Sequence, residues 1–375
     1  MPTRRAIIVQ LPAAAFTGAL ITRAAMAADK SVTIGLTVPL TGSDAEAAAL
    51  IRDGAMLAVE DANAQGGVAG YKINVTVLDN GTTTAGQYDP AQAATNARKL
   101  VADANVVANL GPEMSGSGKA IYFRTVTTDA YQGPNMANYF AQTLKVKRAY
   151  ILDDGGAYGV GMADAFETQA KKIGLAVLGH DQLDPREADY TTILTKIKSQ
   201  NPDALYFGGT SLAGIKLVKQ SYDILPNIVK GGGDGVYSAS LMKGAGYPAI
   251  EGWYATIAAP YIADNPEVAP WIKRYEAKYG RGPTSYSFTA YDAVQVILDA
   301  IKRVAESGKA VSRDAVRDAI QIANVKTLQG AVSFDENGDI KDRTVSVFRY
   351  QHNDKYPVDD VLHQYKYLGV APQTA

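Results

Sequence analysis

Apolar and polar positions alternate along the chain in a repeating succession of short strands and longer helices. Ile34–Val38 has the character of a buried strand, and Pro39-Leu40-Thr41-Gly42 ends it. Ile51, Ala55, Ala58, Val59 and Ala62 then share one face at helical spacing, with Ser43 and Glu46 placed as a capping box and Gln65-Gly66-Gly67 as the stop. Ile73, Val75 and Val77 alternate with Asn74 and Thr76 as a second strand. Asp89-Pro90 opens a helix through Ala94, Ala97, Leu100 and Val101, and Val106–Leu110 reads as a third strand. Strand, helix, strand, helix, strand with short turns implies a parallel sheet covered by helices on both faces.

The rhythm restarts after Val146. Strands are expected at Ala149–Leu152, Leu175–Leu178, Ala204–Phe207 and Ile228–Lys230, with helices near 159–173, 190–199 (capped by Asp189) and 212–222 between them. Strand Gly252–Ile257 leads into a Pro-punctuated stretch and helices near 268–279, 285–307 and 312–322. These helices bring no strand series of their own, so the economical solution returns them to the first sheet. Gly330–Phe334 and Val345–Tyr350 flank the turn Asp335-Glu336-Asn337-Gly338 as a hairpin-like pair. The fold expected is α/β: two doubly wound, Rossmann-like lobes joined by a multi-strand hinge. Lobe one takes 28–140 plus 259–329, and lobe two takes 141–258 plus 330–375.

A length of 375 residues suits two domains, and 47% apolar with 20% charged residues is the balance of a compact globular chain. The 37 basic residues against 38 acidic ones leave no electrostatic reason to bind a polyanion, so nucleic acid is not an expected partner. Residues 1–27 read as a secretory leader: Arg4 and Arg5, an apolar stretch from Ala6 to Ile21 too short to span a bilayer, and Ala25-Met26-Ala27 before the cut. The general and twin-arginine export routes both remain open. No cysteine follows to carry a lipid, so the remaining chain is expected free in the periplasm.

The absence of cysteine excludes disulfides and thiolate chemistry, and His180, His352 and His363 show no metal or triad spacing. No catalytic residue, metal or cofactor is expected, and the chain is not read as an enzyme. Gly231-Gly232-Gly233-Asp234-Gly235 fails the dinucleotide spacing and allows two readings. The backbone approaches a bound molecule closely and aims Asp234 at it, or the run is a turn with a solvated carboxylate. The other post-strand loops, Thr41-Gly42-Ser43, Met114-Ser115-Gly116-Ser117, Tyr158-Gly159 and Gly208-Gly209-Thr210-Ser211, offer hydroxyls and backbone N–H groups, an inventory for binding rather than catalysis.

The leader, Ile34-Gly35…Pro39-Leu40-Thr41-Gly42, Gly54…Ala58…Asn63-Ala64…Gly66-Gly67, Tyr206–Gly209, Ala290-Tyr291-Asp292-Ala293 and Phe334-Asp335…Gly338 together resemble the leucine/isoleucine/valine-type periplasmic solute-binding proteins of ABC importers. The resemblance implies two lobes closing on a small ligand, a branched-chain or related amino acid, and delivery to an inner-membrane ABC permease by a monomer. It implies that Met114, Ser115 and Ser117 of lobe one grip the ligand carboxylate, that Tyr158 and Thr210 of lobe two line the site, that Asp234 pairs with the ammonium, and that Tyr286 lines the mouth. Ala47 stands where the family often has an aromatic residue. The gap it leaves motivates an alternative ligand, an aromatic or other small carboxylate without an amine; a ligand-sensing role is a further alternative. Between Ser117 and Phe123 the family has a helix, a strand and a ligand loop, but this chain has five residues, fewer than the dozen or so that a parallel crossover needs. Lobe one is therefore expected to be short of one β–α unit.

Overall fold

Parallel strands must be joined through crossovers, and here each crossover is the amphipathic helix that its periodicity demands. The computed structural model describes residues 30–110 and 122–373. The first lobe begins with β1 (Lys30–Val38), α1 (Ala45–Ala64), β2 (Tyr71–Asp79), α2 (Pro90–Ala102) and β3 (Val106–Leu110). These strands form a parallel sheet in the order β2-β1-β3. Asp89 caps α2, accepting from the amides of Ala91 and Gln92. The capping box expected at Ser43 and Glu46 does not form. Helix α1 starts at Ala45, one residue later than that box requires, and the Ser43 hydroxyl donates instead to Asp44. Among the described residues this sheet ends at β3; the expected loss of a β–α unit falls on residues 111–121, outside the described ones.

The second lobe runs through α3 (Asp129–Asn138), β4 (Arg148–Asp153), α4 (Ala157–Lys172), β5 (Ala176–Gln182), α5 (Thr191–Ser199), β6 (Ala204–Gly208), α6 (Ser211–Ile224), β7 (Val229–Gly232), α7 (Ala239–Ala245) and β8 (Tyr254–Ile257). The chain then returns to the first lobe with α8 (Ala269–Tyr279), α9 (Ser285–Glu306), α10 (Arg313–Gln321), β9 (Asn324–Thr327) and β10 (Gly330–Ser333). It ends in the second with β11 (Ser346–Tyr350), α11 (Val361–Gln364) and β12 (Tyr365–Val370). The large sheet has the order β12-β11-β8-β7-β6-β4-β5, and β11 is antiparallel to both its neighbours. Apolar residues bury on both of its faces. Leu205 and Phe207 belong to one core, Ala204 and Tyr206 to the other, as strand alternation dictates.

Three sequence expectations change here. Gly330–Ser333 does not pair with Ser346–Tyr350; it pairs with Asn324–Thr327, while β11 inserts between β8 and β12, where Val347 and Phe348 are fully covered. Helix α3, within the segment given to lobe one, packs along α4 and against β8, so the first crossing precedes Asp129. Val332, Phe334 and Ile340 join the first-lobe core, so the last crossing falls after residue 340 rather than at 330. The Thr127 amide donates to the Ala258 carbonyl, and the Ser346 hydroxyl donates to that of Ala259, which ties the three crossings side by side.

The first lobe depends on a close approach of α1 to α9. A Cβ on Gly54 would lie 2.1 Å from the Ser287 carbonyl oxygen, a backbone atom that cannot swing aside. Overpacking of this kind costs about 1–3 kcal/mol or more, which exceeds the ~1 kcal/mol that alanine returns in helix propensity. Gly54→Ala is therefore expected to lower the melting temperature followed by circular dichroism; an unchanged or raised value would contradict the tight contact.

Candidate functional site

Ligands of open α/β sheets bind beyond the carboxyl ends of the strands, and the adjacent strands β4, β6 and β7 end together at Asp153, Gly208 and Gly232. Tyr158, in the first turn of α4, reaches from the loop after β4 to Asp234, just beyond β7. Its hydroxyl donates to Asp234 Oδ1 at 2.7 Å and accepts from the Gly235 amide at 3.1 Å. Gln132, buried on α3, donates to the same oxygen at 3.1 Å and lies equally close to the carbonyl and hydroxyl oxygens of Thr256. The third donor comes from the other lobe: Tyr286, in the first turn of α9, donates to Asp234 Oδ2 at 2.8 Å. Burial, and then the Asp234 charge, push the Tyr158 and Tyr286 hydroxyls well above their ordinary pKa, so both remain protonated donors.

The glycines around Asp234 serve the protein's own packing. A Cβ on Gly233 would fall 2.6 Å from the Tyr158 hydroxyl and from Met162 Cε, one on Gly232 2.4 Å from the Phe207 carbonyl, and one on Gly235 2.1 Å from the Gly209 carbonyl. Neither reading of this run from sequence anticipated that what the backbone approaches closely is its own core. Asp234 is half-buried and bonded rather than solvated.

Of the other residues expected from sequence, Thr210 follows β6 but is bound to a different carboxylate. Its amide donates to Asp154 Oδ2 at 2.8 Å, while the Gly156 amide donates to Asp154 Oδ1 at 3.1 Å. Ala47 is exposed on the first turn of α1. Met114, Ser115 and Ser117 lie outside the described residues. The structure thus brings Tyr158, Asp234 and Tyr286 into direct hydrogen-bonded contact, while Thr210 is held by Asp154.

It also adds residues that sequence reasoning missed. Gln132, Asp129 and Asp154 surround the site, and Asp44 of the first lobe faces Asp154 across the cleft, with its pKa raised by burial and further by the Asp154 charge. Asp129 and Gln132 stand three residues apart on α3 and so share a face. Burial, and then the charge of Asp234, lift the Asp129 carboxyl to about 6, against a smaller opposing effect of Arg124. The Asp-x-x-Gln spacing was the only local signal for this pair, and nothing in it pointed to Asp234.

The sign of the resulting pH dependence follows from the Asp129 shift. A carboxyl with a folded pKa near 6 and an ordinary unfolded value favours folding most at low pH, and that contribution is lost as the pH rises through 6. Asp129→Asn is expected to raise the melting temperature more at about pH 7.5 than at about pH 4.5, with the gain growing up to about pH 6 and level above it. A gain independent of pH would contradict the buried acid pair.

Comparison with known proteins now bears on the arrangement. The family model described as "Periplasmic binding protein" matches residues 31–122 and 115–355. The Leu/Ile/Val-binding protein BraC3 of Rhizobium johnstonii is 29% identical over 352 residues, covering 86% of this chain and 93% of the relative. Among solved structures, a leucine binding protein LivK from Thermotoga maritima superposes with a TM-score of 0.76 at 22% identity, covering 91% of this chain and 98% of the other. The branched-chain amino acid transporter substrate binding protein LivJ from Streptococcus pneumoniae, in complex with isoleucine, gives 0.74 at 20% identity, covering 91% and 100%. At these identities, what the solved structures share with this chain is the fold.

Proposed function

The chain belongs to the periplasmic binding protein family, with its type I two-lobed α/β fold, and on that premise we propose that it is the substrate-binding component of an ABC importer that captures a branched-chain or related amino acid. The observation that carries this reading is the Asp234 carboxylate, set at the lobe boundary and held by Tyr158 and Gln132 on one side and Tyr286 on the other. Its donors hold it in place and aim it, and an aimed carboxylate in a closing cleft is the partner that a ligand ammonium needs. A ligand bound there is touched by both lobes, so its binding free energy favours the closed arrangement over the open one.

The closed, loaded protein would then present a joint surface of both lobes to an inner-membrane permease. Relatives named as Leu/Ile/Val-binding proteins and a neighbour solved with isoleucine support the amino-acid class of ligand. The reading places the chain in the periplasm after loss of the leader, acting as a monomer and without catalysis. Among the described residues no helix is long and apolar enough to cross a membrane.

Truncating one partner of a buried charge pair costs about 2–5 kcal/mol, which is roughly thirtyfold to several thousandfold in affinity. Asp234→Ala is expected to weaken leucine, isoleucine or valine binding by that factor in isothermal titration. Unchanged affinity would remove Asp234 from the site.

A further inference from the structure

His180 sits in the edge strand β5 and points towards α4, away from the cleft cluster around Asp234. Its Nε2 lies 3.0 Å from Asp153 Oδ2, and the other oxygen of that buried carboxylate accepts from the Gly155 amide at 2.7 Å. Its Nδ1 faces two acids three residues apart on α4: Glu167 Oε2 at 2.7 Å and Asp164 Oδ1 at 4.0 Å. One donor atom from each of Asp164, Glu167 and His180 lies within 4.8 Å of the others. We propose that these three side chains form a site for a divalent transition-metal ion of the zinc class, on the flank of the second lobe.

The chemistry of the donor set supports this assignment. With Nε2–H donated to Asp153, a neutral imidazole turns the Nδ1 lone pair straight at a Glu167 oxygen, and two lone pairs at that distance repel unless a cation lies between them. A proton can fill the gap, and so can a metal. A buried carboxylate behind the distal nitrogen fixes the tautomer that frees Nδ1 for ligation, which is the usual outer support of a metal-bound histidine.

Metal–ligand bonds of about 2.0–2.2 Å set tetrahedral donor atoms about 3.4 Å apart, so the Glu167 oxygen must draw back from Nδ1 and the Asp164 oxygen must move in, the latter by rotation of a side chain open to solvent. One nitrogen and two carboxylates leave a fourth position for water, and the imidazole favours zinc-like ions over magnesium or calcium. Lys171, paired with Glu167, competes for the same carboxylate and holds it below its ordinary pKa range, with a smaller contribution from His180, so it stands ionised.

The test is calorimetric titration of the EDTA-treated protein with zinc chloride, with magnesium chloride in parallel. Expected are one zinc ion per chain and no comparable magnesium affinity. His180→Ala and Glu167→Gln should each weaken zinc binding at least about tenfold. Asp153→Asn, which keeps all three ligands, should weaken it by roughly ten- to a hundredfold. Glu167→Gln alters a helix surface, so it remains informative if His180→Ala fails to fold, and its leucine affinity should equal that of the parent. Absence of saturable zinc binding, zinc binding indifferent to Glu167→Gln, or equal binding of magnesium would each overturn the proposal and leave His180 as a hydrogen-bonded link between two carboxylates.

Discussion

A carboxylate held partly out of water must be compensated, and the arrangement around the cleft follows from how Asp234 is compensated. Two of its donors belong to the second lobe and one to the first, so its bonds are complete only when the lobes meet. Tyr158 reaches it because α4 begins directly after the loop that follows β4, and because Gly233 leaves room for the hydroxyl. Gln132 reaches it because α3 packs along α4 and carries that amide inward. The amide is itself held beside Thr256, at the point where β8 leaves the large sheet. Closure, helix packing and the glycine run are thus tied to one charged group.

The surrounding electrostatics reinforce this dependence. Asp129 stands beside Asp234, and Asp44 faces Asp154 across the lobes. Acids brought together by closure oppose it until a proton or a positive group lies among them. In the proposed complex, a zwitterion with its ammonium at Asp234 would supply such a group where the closed state needs it, so one interaction would serve recognition and closure.

What could be read from the sequence divides along physical lines. The first five elements were legible because each is specified locally, by a period of two or of 3.6 and by caps and glycine stops near its ends. Helix α3 was not, because Gly133-Pro134 reads as a break. In the fold, burial of Met136, Ala137 and Phe140 offsets the lost helical hydrogen bond. The partner of β11 was misassigned because strand pairing is long-range, and a nearby turn is weaker evidence than a covered slot between β8 and β12. Asp234, Tyr158 and Tyr286 were accessible through glycine chemistry and family likeness. Gln132 and Asp154 were not, since a buried polar residue shows its partner only once the chain is folded. Thr210 was placed on the right loop, but its amide and hydroxyl serve Asp154. His180 and Glu167 are thirteen residues apart on a strand and a helix, a separation that no ligand-spacing rule covers.

The most direct test compares leucine with 4-methylpentanoate, the same carboxylic acid lacking the amine, by isothermal titration under identical conditions. If Asp234 receives a ligand ammonium in the closing cleft, leucine binds and the deaminated acid fails to bind measurably. Equal affinity for the two would show that the amine is not recognised, and would contradict the role assigned to Asp234.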